Sequence, residues 1–360
     1  MTRESRTTAA RLGTTAQTWH VSGYHVASRL LRDPRLSLEP TELGPENARA
    51  RRELQQALIA EWAAQNDRIQ TILTAAATEK FEELTAAGAP FNIKNDYAIP
   101  VSDRVFIEVL GLQPANVAQV RGWVMNNFTG ETWHTAASLR GLVPFLTGVI
   151  NSKIDGGDDL LSGLLERVDA KSWSRARLIS ALGWLLLGTG WDLIHPVVSV
   201  GTTLILGNPD QYEQLRAHPH LLPDATDEVF RLFDPAPTMK KGDTVFGIGE
   251  PLYVGADIEV EGLMIQRGDI VYVSLAKANR DPSVFKEPDR YLITRSEQHI
   301  AWEAPGEVFP SFVFLRPETE ICLGTLFTSG RPLRLVDPKD VDWLAEPQHL
   351  RAHGLVVDFA

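Results

Sequence analysis

The run from Leu178 to Trp191, L-I-S-A-L-G-W-L-L-L-G-T-G-W, is the longest apolar stretch in the chain, and Asp192 and His195 follow it at once. A bilayer span takes about 20 apolar residues, so this run is too short and too soon interrupted to be one. A helix apolar on nearly every side belongs at the centre of a large helical protein. The chain has 360 residues, 44% hydrophobic and 22% charged, enough to build one large enclosing domain. No composition shift or Gly/Ser linker marks a boundary, so 1–360 reads as a single domain with 1–16 as a flexible tail.

Composition excludes several classes. One cysteine forbids an intramolecular disulfide framework and fits a reducing cytoplasm. The N-terminus M-T-R-E-S-R-T-T-A-A-R has no apolar core of a signal peptide, and the expected location is cytoplasmic. A formal charge of −11 argues against nucleic acid and anionic membranes as partners. The nine histidines show no paired metal spacing, and no phosphate-binding glycine motif is present.

The local patterns alternate between helix and short strand. Thr18–Val21 reads as a strand, and Tyr24–Leu31 as a helix stopped by Asp33-Pro34. Residues 46–84 are rich in Ala, Leu, Glu, Gln and Arg, which are strong helix formers. Gly156-Gly157-Asp158-Asp159-Leu160-Leu161-Ser162 marks a helix start with acids at the positive end of its dipole. Residues 254–275 alternate as strands, with turns at Gly262 and Gly268-Asp269. Glu228 and Arg231, an E-x-x-R pair, lie one helical turn apart on one face. The fold class expected is mainly α with small β-sheets.

Several of these segments carry a family resemblance. Pro209–Leu232 with its E-x-x-R, Pro288-Asp289-Arg290-Tyr291, and His299-Ile300-Ala301-Trp302 together resemble the C-terminal signature of bacterial cytochromes P450. The resemblance covers residues 17 to 360 and is strongest from 209 to 295. It implies the P450 fold, here degenerate and shortened at the N-terminus. The family normally carries some forty residues or more before the first strand, so the strand at Thr18 is expected to leave a sheet edge open to a partner or to the chain's own tail. The resemblance also implies a buried structural cluster of Glu228, Arg231 and Arg290.

Its chemistry is contradictory. In the family, H-L-A-F leads without a gap to a cysteine whose thiolate binds haem iron; here that count ends on Phe309. The one cysteine, Cys322, lies in a Cys322-Leu323-Gly324 that mimics the family's C-L-G, and taking it as ligand requires a thirteen-residue insertion. The gapless alignment makes Phe309 the lost ligand position and Cys322 a small buried residue. The alternative makes Cys322 the ligand. Residues 46–84 contain no histidine, so the family's H-x-x-x-R contact to haem is missing. In the central helix, Gly190 and Asp192 match the family while its threonine is Leu193, and Pro196 is expected to kink the helix.

These losses lead to an expectation of no haem, no other cofactor and no metal. The implied function resembles that of P450-like helper proteins in actinomycete antibiotic pathways, which bind and activate a deoxysugar glycosyltransferase. Trp123, Met125, Phe128, Trp133 and Phe145 are then either core packing or a partner surface. Under this reading the chain is not itself an enzyme. A second reading is a non-redox cyclase, dehydratase or isomerase using Asp192 and His195 as acid and base. A third is a haem monooxygenase ligated through Cys322. The partner, sugar, aglycone and oligomeric state are not legible in the residues.

Overall fold

A computed structural model describes residues 2–4, 17–37, 45–119, 136–187, 194–233, 252–303, 310–337, 339 and 354–360. The helices are α1 (Tyr24–Leu31), α2 (Pro45–Ala64), α3 (Asn66–Ala87), α4 (Ile99–Leu110), α5 (Ala136–Lys153), α6 (Leu160–Arg167), α7 (Arg175–Leu187), α8 (Ile194–Gly207), α9 (Pro209–Ala217), α10 (Leu222–Leu232), α11 (Leu275–Ala278) and α12 (Pro310–Thr328). A π-helical turn, Ile93–Ala98, leads into α4. The strands are β1 (Thr2–Glu4), β2 (Thr18–Val21), β3 (Leu36–Ser37), β4 (Phe91–Asn92), β5 (Leu252–Val254), β6 (Ile258–Val260), β7 (Leu263–Ile265), β8 (Ile270–Val273), β9 (Leu333–Leu335) and β10 (Val356–Phe359).

The strands form a five-stranded sheet in the order β1-β2-β8-β5-β3, a three-stranded sheet β4-β10-β9 and the hairpin β6-β7. Strand β2 runs parallel to β8, with Thr18 opposite Ile270 and Val21 opposite Val273. Alternation then buries Trp19 and Val21 beneath the sheet. The indole of Trp19 donates to Asp269 at 2.9 Å, which also receives the amides of Gln17 and Gln266. On the other face His20 stacks on Tyr272 at 5.4 Å. The expected open edge of β2 is paired: Thr2–Glu4 lies antiparallel along it, Arg3 opposite Trp19. That corrects the reading of 1–16 as tail throughout; residues 5–16 lie outside the described residues.

The enclosed helix is α8. Every residue from Ile194 to Ile205 is buried. Its hydroxyls are accommodated by the helix itself, Ser199 donating to the His195 carbonyl at 2.7 Å and Thr203 to the Ser199 carbonyl at 2.9 Å. At Gly201 an added Cβ would meet the Leu323 side chain at 3.0 Å and Val229 at 3.3 Å, so a larger residue there would make these side chains give by a few tenths of an ångström. Pro196, expected to kink a helix interior, is the third described residue of α8; residues 188–193, which precede it, lie outside the described residues. No described helix is long and apolar enough to cross a membrane.

Candidate functional site

The most elaborately bonded part of the core joins α10 to the segment 279–303. Glu228 accepts two hydrogen bonds from Arg231, at 2.6 and 2.8 Å, and one from the Leu292 amide at 3.1 Å. Arg231 spends its remaining protons on the carbonyls of Asn279, Pro288 and Arg290, at 2.8, 2.7 and 3.1 Å. Both side chains are buried. Arg231 also lies over the Phe285 ring.

The second arginine of the cluster is Arg295, not Arg290. Arg295 donates to Glu228 at 3.0 Å and is 4% exposed. It also binds the carbonyls of Lys286, Glu287 and Arg290. Arg290 offers the cluster only its carbonyl; its guanidinium is half exposed, 3.5 Å from Asp210 and 3.4 Å from Glu287. The reason is geometric. The loop turns its carbonyls inward to meet the two guanidiniums, which directs the Arg290 side chain outward. Glu287, at φ 49°, marks the tight bend. The signal that could have found Arg295 is a second arginine just past Tyr291, five residues after the first.

The segment beyond this cluster is pinned on both sides. Tyr24 donates to the Gln298 carbonyl at 2.6 Å, and Asn279 accepts the Ile300 amide at 2.8 Å. His299 accepts the Ala301 amide at 3.2 Å, and burial lowers its pKa to about 4, so the ring is neutral at physiological pH. Trp302 packs on Phe230 with ring centroids 4.2 Å apart, and Glu303 pairs with Arg32. Phe309 lies outside the described residues, as do Asp192, Leu193 and the aromatics 123–133. His195 is buried at the start of α8. No group of three or more potential ligands for a metal occurs among the described residues.

Cys322 sits inside α12, twelve residues past Pro310, which is about 18 Å along the helix axis. It is fully buried, and its carbonyl accepts the Tyr97 hydroxyl at 3.2 Å. Burial, with the Glu318 carboxyl adding to it, pushes its thiol well above the ordinary range.

No family model matches the chain. It is 30% identical to pentalenic acid synthase of Streptomyces avermitilis, over 89% of this chain and 83% of that one. It is 29% identical to cytochrome P450 107B1 of Saccharopolyspora erythraea, over 74% of this chain and 64% of that one. With 20-oxo-5-O-mycaminosyltylactone 23-monooxygenase of Streptomyces fradiae it shares 26% identity, over 90% and 80%. Among solved structures, ligand-free CYP105P1 superposes with a TM-score of 0.76 at 24% identity, covering 96% of this chain and 91% of that one. The shared fold is that of the cytochromes P450.

These relatives correct one expectation. The relatives and neighbours include cytochromes P450, so the cofactor the comparisons point to is haem, against the reading that none is used. The described residues do not fit thiolate ligation of that group. A ligating sulfur must be able to reach the iron, whereas Cys322 is fully enclosed within α12.

Proposed function

This chain belongs to the cytochrome P450 family, and from that premise we propose that it serves actinomycete natural-product biosynthesis as an accessory protein. It binds and activates a glycosyltransferase that attaches a deoxysugar to a polyketide. The observation that carries this reading is the burial of Cys322 inside α12, which withholds a thiolate from oxygenation chemistry and shifts the function to the surface. The fold keeps an ordered core that includes the Glu228 cluster. A protein that has to present a shaped surface needs that order. Fold and function are separable in this way.

The relatives' names favour a second reading, a monooxygenase acting on a natural-product intermediate. Two measurements separate the readings. Co-expression with a deoxysugar glycosyltransferase of an actinomycete pathway, followed by size-exclusion chromatography, is expected to yield a complex burying more than about 1,000 Å² and a more active transferase. The haem-loaded protein is expected to lack the carbon monoxide band of a thiolate-ligated haem. Separate elution with unchanged transferase activity, alongside a stoichiometric thiolate band lost in Cys322→Ser, would establish the monooxygenase instead.

A further inference from the structure

Three contacts run in order along the seam where the π-helical turn and α4 meet α12. The Tyr97 hydroxyl donates to the Cys322 carbonyl at 3.2 Å. Next, the Ser102 hydroxyl lies against the Glu318 carboxyl. Then Phe106 stacks on Phe314, centroids 5.8 Å apart and planes 21° apart. As the numbers rise on one side they fall on the other, so the helices are antiparallel. On α12 the members are four residues apart and share a face. Across the seam Ser102 and Phe106 are four apart, but Tyr97 and Ser102 are five apart. The wider π turn, Ile93–Ala98, absorbs that extra residue and returns Tyr97 to the seam.

Glu318 is the middle member of this row. It is 2% exposed, and its Oε1 has no hydrogen-bond partner. The charged group facing it is the Asp103 carboxylate from α4, which raises its pKa further. Tyr97 and Cys322, its other titratable neighbours, are both held neutral by burial. Thr319, beside it on α12, is buried as well. Among the described residues, no lysine, arginine or histidine shifts its pKa. A carboxylate at this position would be a buried charge beside a like charge.

We infer that Glu318 is a proton-operated latch on this seam: the neutral acid lets α4 and α12 close on one another, and its ionisation parts them. Burial first, and Asp103 after it, push the Glu318 pKa up to about 8, so the latch works close to physiological pH. The native state then keeps a proton that the unfolded chain gives up from its ordinary value of 4.5 upward. More protons are bound in the native state, so stability falls as pH rises from that value to about 8. The movement has a route outward. Arg316, on α12, pairs with Asp227 of α10 at 3.0 Å, the residue next to Glu228. This inference does not depend on which reading of the function holds.

The test is amide hydrogen exchange of the full-length protein at pH 6.5 and pH 9, corrected for intrinsic exchange, with urea midpoints at both values. Peptides covering 97–106 and 314–322 are expected to lose protection at pH 9 relative to the rest of the protein, and the wild-type midpoint to fall. Glu318→Gln should keep both the protection and the midpoint. Asp103→Asn removes the charge that helps hold the Glu318 pKa up, so it should make the fall between pH 6.5 and pH 9 smaller, which tests the latch even if Glu318→Gln fails to fold. Equal pH responses in wild type and Glu318→Gln would overturn the inference, as would an Asp103→Asn fall as large as the wild type's or larger.

Discussion

Glu228 holds two guanidiniums in a dry core, and the set is stable only when complete. Removing either arginine strands a buried carboxylate, so Arg231→Ala and Arg295→Ala should each cost about 3–5 kcal/mol in urea unfolding. Arg290→Ala should cost less than about 1 kcal/mol, because its ion pairs are at the surface. Equal losses at Arg290 and Arg295 would restore the sequence-based assignment. Glu228 and Arg231 were legible because a three-residue spacing on one helix makes neighbours of them. Arg295 was not, because its choice over Arg290 depends on how a loop turns its carbonyls. The single thiol yields a second prediction. Buried and held neutral, Cys322 should resist alkylation in the native protein at pH 8 and react fully in urea; rapid native labelling would show it accessible.

Among the elements, α6 shows how far local pattern reaches. Asp159, expected near the helix start, is its N-cap, accepting the Ser162 amide at 3.0 Å. It also pairs with Lys153 at 2.6 Å, a contact no local pattern announces. Asp159→Ala should therefore cost about 2 kcal/mol, the upper end for a lost cap, and Asp158→Ala much less. Thermal denaturation of the two variants decides it, and equal melting would remove the cap from the account. Gly111, at φ +63°, faces the same pair: an added Cβ would lie 2.4 Å from the Lys153 amine. Helix boundaries elsewhere follow similar signals, as at Gly88, which ends α3 in the left-handed conformation.

At the scale of the molecule, two hydrophobic clusters divide the core, one among the helices and one beneath the five-stranded sheet. They are tied together. Arg280 donates to the Leu232 carbonyl at 2.7 Å, and Tyr24 meets Phe285 edge-on at 5.6 Å. Scanning calorimetry should accordingly give one cooperative transition for the chain, and two resolved transitions would divide it into separate folding units. The amino-acid sequence by itself determined the mainly helical class, the strands at Thr18 and 254–275, the helix start at 156–162, the E-x-x-R pair and the family. Each of these rests on periodicity, capping chemistry or a short motif, which neighbours along the chain suffice to specify. Only the tertiary structure decided that Thr2–Glu4 closes the edge of β2, that Arg295 completes the Glu228 cluster and that Cys322 is enclosed within α12. It also decided that Glu318 is buried facing Asp103. Those outcomes depend on which distant groups lose their water together, and burial of that kind is a property of the packed whole.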